Sequence, residues 1–505
     1  MRFNIFKRKE KEVNNYEGAK AFQLSNEMEL YSAVVTFGLN DNFYEKSNDK
    51  LNRIIKLMPK SNPEFVAKLA TYTRKEMNLR TIPLVLAVEL AKQNSGNNLV
   101  AKTVNGIVQR ADEITELLAY YQMANARTGT KKLNKLSKQI QKGLIVAFNK
   151  FDEYQFAKYN RKSEVKLKDA LFLVHPKPKD ETQQELFSKI ANDKLATPYT
   201  WETQLSELGK RRYENEIAQK AALRSTWEEL ILSNKMGYMA SLRNLRNILE
   251  AEISVNVMRK LCAYLSNETA VKNSKQLPFR FLSAYRELQN CKSPYTSMVL
   301  DSLEDVVIVS AANIQGFDYD TSVVIACDVS GSMQKAISPN SKVLLFDVGL
   351  MLGMLMQSRC KNVVSGMFGN RWKIINMSKR NVLSNVMEYY RREGEVGYAT
   401  NGYLVVEDLI KRNEIVDKIM MFTDVQLWNS NGNSSTIASA WRKYKAIAPK
   451  AKLYLFDLAG YGNSPLDLKE NDVYLIAGWS EKIFDVLASL ENGENALAKI
   501  NAMEL

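Results

Sequence analysis

From about Glu27 to Cys291, apolar residues recur at intervals of three and four, the period of an amphipathic helix. FVAKLATYTRKEMNL, Phe65 to Leu79, reads as one such helix. TIPLVLAVELAKQ, Thr81 to Gln93, reads as the next, with Pro83 in its first turn, where a missing N–H costs little. NKMGYMASLRNLRNILE, Asn234 to Glu250, reads as another. Helices of this length joined by short polar links predict a stacked helical-repeat array, an α-solenoid with degenerate repeats.

Near residue 315 the pattern changes. TSVVIACD, KNVVSGMF, KIMMFTD, KLYLFDL and DVYLIAG are short apolar runs, bounded by Gly, Asn, Ser or Asp and separated mostly by helix-like segments. Continuous rather than alternating apolar runs predict strands covered on both faces. Strand–helix alternation then predicts a doubly wound, mainly parallel α/β sheet. NIQGFDYD, Asn313 to Asp320, reads as the linker. The expected organisation is a helical domain over 1–315 and an α/β domain over 316–505.

Charge divides along the same line. The chain has 505 residues and a formal net charge of +14. Residues 1–300 hold 49 Lys/Arg against 32 Asp/Glu, whereas 301–505 hold 21 against 24. A basic surplus confined to the helical part points to an anionic partner, nucleic acid before membrane, or to a basic surface kept for solubility. Cys262, Cys291, Cys327 and Cys360 have neither zinc spacing nor the density of a disulfide framework, so a reducing, cytoplasmic setting is expected. MRFNIFKRKEKE lacks the apolar core of a signal peptide. No run approaches the roughly twenty apolar residues of a membrane span, and GLMLGMLM, Gly349 to Met356, reads as a buried helix.

The candidate chemistry begins at IACDVSGSMQ. In an open α/β sheet, ligands bind beyond the carboxyl ends of the strands, and Asp328 ends the first one. Asp328, Ser330 and Ser332 supply oxygen donors from one tight loop, with Gly331 expected to let it turn sharply. FTDVQ adds Asp424 past another strand, and YATNG adds Thr400 between Gly397 and Gly402. An all-oxygen set suits a hard divalent cation, Mg²⁺ first. Asp-Ser-Gly clusters also form plain turns, which is the alternative.

This arrangement resembles the von Willebrand factor A (vWA) fold and its metal-ion-dependent adhesion site. The resemblance implies that Asp328, Ser330, Ser332, Thr400 and Asp424 hold one divalent ion. Ala399 stands where related sequences often place glycine.

In the basic half, GTKKLNKLSKQIQKG carries Lys131, Lys135, Lys138 and Lys142 on one helical face, opposite Leu133, Leu136, Ile140 and Leu144. Like charges at this spacing repel by a few tenths of a kcal/mol, a cost that a bound anion removes. KYNRKSEVKLKDALFLVHPKPKD adds Lys158, Arg161, Lys162, Lys166 and Lys168, and ends at His175, the chain's single histidine. An imidazole beside lysines can stack on a base or donate to a phosphate, or it can be structural.

TYTRKEMNLRTIPLVLAVELA, DALFLVHPKPKD, MASLRNLRNILE and PFRFLSAYREL resemble the TROVE module of Ro60-type ribonucleoproteins. That resemblance implies a monomeric ring of HEAT-like repeats closed by the vWA domain. It implies small structured Y-type RNA on the outer face and single-stranded 3′ ends of misfolded RNA in the central hole, in RNA quality control. It carries RNA contacts to Lys158, to Lys162 with its neighbour Arg161, and to His175. Arg74, Arg80, Arg243 and Arg246 lie in the motif helices, as candidates either for RNA contacts or for salt bridges between repeats.

Other classes fit less well. There is no GxxxxGK[ST] phosphate loop, too few carboxylates for a two-metal nuclease, and no pair of histidines for acid–base work. A non-enzymatic protein is expected. The alternative to an RNA-binding subunit is a metal-dependent interaction scaffold that captures acidic residues of a protein partner, with an exoribonuclease one candidate.

Overall fold

The computed structural model describes residues 11–37, 47–125, 136–160, 163–310, 317, 320–337, 341–432, 434–468 and 472–505. Packing divides the chain into two compact units. One joins Met1–Ile54 to Gly237–Ala498, and the other joins Ile55–Met236 to Lys499–Leu505. The boundary expected near residue 315 lies inside the first unit.

The first unit contains strands β1 (Glu12–Asn14), β2 (Lys20–Gln23), β3 (Ser322–Asp328), β4 (Asn362–Phe368), β5 (Trp372–Ile374), β6 (Lys418–Thr423), β7 (Lys452–Asp457), β8 (Asn463–Ser464) and β9 (Val473–Ala477). The five apolar runs read in the sequence are β3, β4, β6, β7 and β9. They form one sheet in the order β5-β4-β3-β6-β7-β9, parallel except for the short edge strand β5. Connections run outward in opposite directions from β3 and β6, so the sheet's switch point lies between them. Asp328 ends β3, and Asp424 follows β6 directly.

Both sheet faces are covered, which explains the unbroken apolar runs. Helix Leu345–Arg359, which contains GLMLGMLM, packs on one face. A Cβ at Gly353 would stand 2.9 Å from Cys327 Sγ, so glycine there allows the helix to close on β3. On the other face, Val405, Leu409, Trp441 and Tyr444 pack with Val324, Ala326, Ile419 and Met421. All four cysteines are free thiols. Among the described residues, no helix is long and apolar enough to cross a membrane.

Three departures from the sequence pattern have local causes. The stretch Asn234 to Glu250 forms two short helices, Tyr238–Arg243 and Leu245–Glu250, rather than one. Buried Asn244 separates them, with its side chain donating to Ala240 O at 2.9 Å. β1 and β2 form a hairpin that pairs with β8, although they are too short to stand out by periodicity. The linker at 313–320 lies mostly outside the described residues, but Phe317 within it is buried beneath the Lys418 ammonium.

In the second unit, FVAKLATYTRKEMNL and TIPLVLAVELAKQ become helices Pro63–Lys75 and Thr81–Gln93, packed on each other. The first is capped by Asn62, whose side chain accepts from Glu64 N. Helix Leu99–Ile107 meets helix Lys138–Phe148 at Gly143, where a Cβ would approach Val104 Cβ to 2.6 Å and Ala101 O to 2.7 Å. Ile140 and Leu144 are buried at that contact side, as their spacing predicts.

Polar contacts explain why helices that precede the sheet in sequence share its unit. Arg286, from helix Pro278–Leu288, makes a bidentate pair with fully buried Asp347 at 2.7 and 2.5 Å. Glu304, from helix Thr296–Ser310, accepts from Leu383 N and Ser384 N, both at 2.8 Å, and so caps helix Val382–Arg392. Removing one partner of a buried pair costs about 3–5 kcal/mol. Arg286→Met is therefore expected to lower unfolding stability by about that amount. Adding Asp347→Asn, which keeps the cap on Leu344 N, should recover at least half, as read by urea denaturation. An unchanged midpoint in the single variant would contradict this account.

Candidate functional site

Two groups of side chains carry candidate chemistry, one in each unit. In the first unit, the structure brings Asp328, Ser330, Ser332, Thr400 and Asp424 to the carboxyl edge of the sheet, and all five are buried. Asp328 Oδ1 accepts from Ser330 N at 2.9 Å, and its Oδ2 accepts from Thr423 Oγ1 at 2.6 Å. Ser330 Oγ lies 3.1 Å from Ser332 Oγ. Asp424 Oδ1 accepts from Gln426 N at 3.1 Å, whereas its Oδ2 is buried and has no hydrogen-bond partner. Thr400 Oγ1 accepts from Trp428 N at 3.3 Å.

Burial pushes both carboxyl groups above the usual range, and the negative charge of Asp328 raises Asp424 further. Among the described residues there is no cluster of three or more His, Cys, Asp and Glu side chains suited to a metal. The donor set here consists instead of two carboxylates and three hydroxyls. Such a set fits a hard divalent cation, and the orphaned Oδ2 of Asp424 is the atom such a cation would satisfy.

The surrounding loops hold these donors in place. Val425 sits at φ 65°, a left-handed conformation that a β-branched residue adopts at a cost of about 1–3 kcal/mol. It separates Asp424 from Gln426. Ala399 is accommodated because its N–H donates to Asn370 Oδ1 at 3.1 Å. The required glycine is Gly397, at φ 71°, where a Cβ would meet Asn370 Oδ1 at 2.3 Å. Gly331 does not have the role expected of it, since it has no positive φ and a Cβ there would meet nothing within 4 Å.

The second group is cationic. Lys138 and Lys142 are exposed on helix Lys138–Phe148, and Gln141 between them donates to Val174 O at 3.2 Å. That bond brings the helix beside exposed His175, which caps helix Leu167–Val174 in a left-handed conformation. Asn149, just after the first helix, donates to Lys177 O at 3.2 Å, so exposed Lys177 joins the same face. None of these lysines has an acidic partner among the described residues. Lys158, half-buried, lies over the rings of Tyr154 and Tyr159 at 5.6 and 5.7 Å. Lys131, Lys135, Arg161 and Lys162 lie outside the described residues.

A family model of the TROVE domain matches residues 19–222 and 192–305, and one of the Ro60 vWA domain matches 322–491. The chain belongs to the TROVE family of Ro-type RNA-binding proteins. Telomerase protein component 1 from Rattus norvegicus and that from Mus musculus are each 26% identical over 313 residues, covering 46% of this chain. The matched region spans only 11% of those relatives. The crystal structure of the Deinococcus radiodurans Ro (RSR) protein shares the fold, with a TM-score of 0.57 at 16% identity, covering 93% of this chain and 100% of that one.

Three of the four arginines singled out in the TROVE helices are spent on neighbouring acids. Arg74 is only 8% exposed and pairs with Glu113 at 2.9 Å. Arg80 bridges Asp112, Glu113 and Glu116 at 2.9, 3.5 and 3.3 Å. Arg246 pairs with Glu250 and Glu287. These are structural ties between helices, because their guanidinium charge is met within the protein. Arg243 differs: it is exposed and has no acidic partner among the described residues, and its charge adds to burial in lowering the pKa of Arg280. Lys168 pairs with Asp193.

Sequence reading missed Thr423, whose hydroxyl orients Asp328, and Asp457, a buried carboxylate at the end of β7 that raises Asp424. Both follow from the strand-end rule already applied to FTDVQ. It also missed exposed Phe172, three residues before His175. Without a cation, Asp424 is a buried acid with one oxygen unsatisfied. In EDTA, Asp424→Asn should therefore stabilise the protein by about 1–2 kcal/mol, read as a rise in the denaturant midpoint. A fall in the midpoint would show that the carboxylate is satisfied without metal.

Proposed function

We propose that this protein is a non-enzymatic Ro-type subunit that binds RNA through its TROVE helices. In this reading it takes small structured, Y-like RNA on its outer face and single-stranded 3′ ends of misfolded RNA in a central cavity, within RNA quality control. The observation that carries the RNA reading is the exposed face of Lys138, Lys142, His175 and Lys177, where no acid neutralises the lysines among the described residues. Phosphates bind such a face by charge and displace their counterions. Selectivity then comes from unpaired bases rather than from duplex grooves. Lys158 is a further proposed contact; Lys162 and Arg161, proposed with it from the family resemblance, lie outside the described residues.

The vWA domain supports a second, compatible reading. Asp328, Ser330, Ser332, Thr400 and Asp424 would hold a divalent cation, Mg²⁺ by donor chemistry, and the ion's remaining position would take a carboxylate from a protein partner. The orphaned Asp424 oxygen favours it. When bound, the ion would supply positive charge to the partner's carboxylate; the chain's own loops orient the donors and bury them from water.

Contacts from Lys138, Lys142, Lys158 and Lys177 to four phosphates of a single strand give a slope of log K against log salt of about −3. The double variant Lys138→Ala/Lys142→Ala should flatten that slope by roughly 1–2 and weaken binding uniformly across sequences. Salt-independent affinity would remove the RNA reading. Separately, Mg²⁺ at a hundred times its dissociation constant should stabilise the wild type by about 2.7 kcal/mol and leave Asp424→Ala unchanged. EDTA should abolish that effect without abolishing RNA binding; loss of both together would place the metal in the RNA site.

A further inference from the structure

A cavity of about 270 Å³ opens between the turn at Gln109–Ala111 and helix Glu153–Tyr159 in the second unit. Its volume lies just below the about 300–1,000 Å³ typical of small-molecule pockets, which suits a single planar ring system better than an extended ligand. Three of its walls are π-faces or cations. The Arg110 guanidinium lies 4.2 Å from the Tyr159 ring centroid. Arg110 is fixed there by a bidentate pair with Asp112 at 3.1 and 2.7 Å. Tyr154 is 42% exposed, and among the described residues its hydroxyl is tethered only by a 3.5 Å contact to Tyr199 O. Lys158 stands over both tyrosine rings. Asp152 caps its own helix, accepting from Gln155 N at 2.7 Å, and no ion pair joins it to Lys158.

An exposed aromatic ring, a guanidinium already held over a second ring, and an ammonium without an acid partner among the described residues make a stacking platform beside a phosphate anchor. A duplex cannot use it, because its bases are stacked on each other and their faces are hidden. We propose that this cavity binds one unpaired nucleobase of a bound RNA, stacked on Tyr154 and on the Arg110–Tyr159 pair, with the adjoining phosphate on Lys158. The proposal rests on the RNA-binding reading above and adds to it the feature that selects single-stranded or bulged segments.

The test uses the full chain and two fluorescein-labelled probes, a 12-nucleotide oligouridine and a blunt RNA duplex, with binding read by anisotropy across a salt series. Tyr154→Ala should weaken oligouridine binding by roughly five- to a hundredfold, the range expected for one stacked base. Its salt slope should stay that of the wild type, because no phosphate contact is lost. Tyr154→Trp should restore affinity, and duplex binding should not change in either variant. Lys158→Ala should instead reduce the slope. With the fold checked by circular dichroism, unchanged oligouridine affinity in Tyr154→Ala would overturn the base pocket and leave the RNA reading intact. Equal weakening toward both probes would also overturn it. Failure of the wild type to bind either RNA would overturn the RNA reading and the pocket together.

Discussion

Asp328, Asp424 and Asp457 close the carboxyl ends of three neighbouring parallel strands, and all three are buried. A buried carboxylate is costly unless donors or an opposite charge meet it. Much of the first unit can be understood as the means by which each is met. Asp328 receives the Ser330 amide and the Thr423 hydroxyl. Asp457 receives the Ala459 and Gly460 amides and the Ser32 hydroxyl, and the charge of Lys50 lowers its pKa against the effect of burial. Asp424 alone keeps an oxygen with no partner.

The solution at Asp457 ties the start of the chain to the sheet. Lys50 is fully buried and donates to Thr36 O and Thr36 Oγ1, both at 2.9 Å, and to Ala459 O. Arg53 binds Glu29 at 3.1 Å and Gly460 O at 2.6 Å. Gly460 makes the approach feasible, since a Cβ there would lie 2.2 Å from Thr36 Oγ1. Residues more than four hundred positions apart are thus joined by a need for countercharge, on top of the short β2–β8 pairing. Sequence proximity could not reveal this, and the Arg286–Asp347 pair and the Glu304 cap likewise carry the first unit across residue 315, where the sequence pattern changes.

The same distinction separates what was legible in the sequence from what was not. Strands such as Ser322–Asp328 were legible because burial on both faces forces an unbroken apolar run, and the strand ends then located Asp328 and Asp424. The Thr400 loop was legible as a hydroxyl between glycines, but the working glycine proved to be Gly397, because the constraint is the approach of Asn370. Gly331 looked necessary and is not, because a turn can be glycine-rich without needing a positive φ. For Arg74, Arg80 and Arg246 the sequence offered RNA contacts and salt bridges between repeats alike, and the choice between them was not legible. Whether an arginine faces an acid or open solvent depends on which helices become neighbours, and the partners of Arg80 lie about a hundred ångströms of extended chain away in sequence terms.

That dependence leaves the two cation types with different tasks. The planar guanidinium suits bidentate pairing with carboxylates, and this chain uses it so at Arg110–Asp112 and Arg286–Asp347. Arg74, Arg80, Arg246 and Arg53 are likewise held by acids. Among the described residues of the second unit, Lys138, Lys142, Lys158 and Lys177 carry positive charge with no acidic partner. An ammonium on a flexible stem attracts phosphate as a point charge and reads little about sequence or shape. Lysines alone would give an RNA-binding face that is strong at low salt and poorly selective. Any discrimination between paired and unpaired RNA has to come from rigid flat surfaces beside those lysines. The arginine that Asp112 immobilises against Tyr159 is neutralised as a phosphate ligand, and for that same reason it is rigid enough to serve as one.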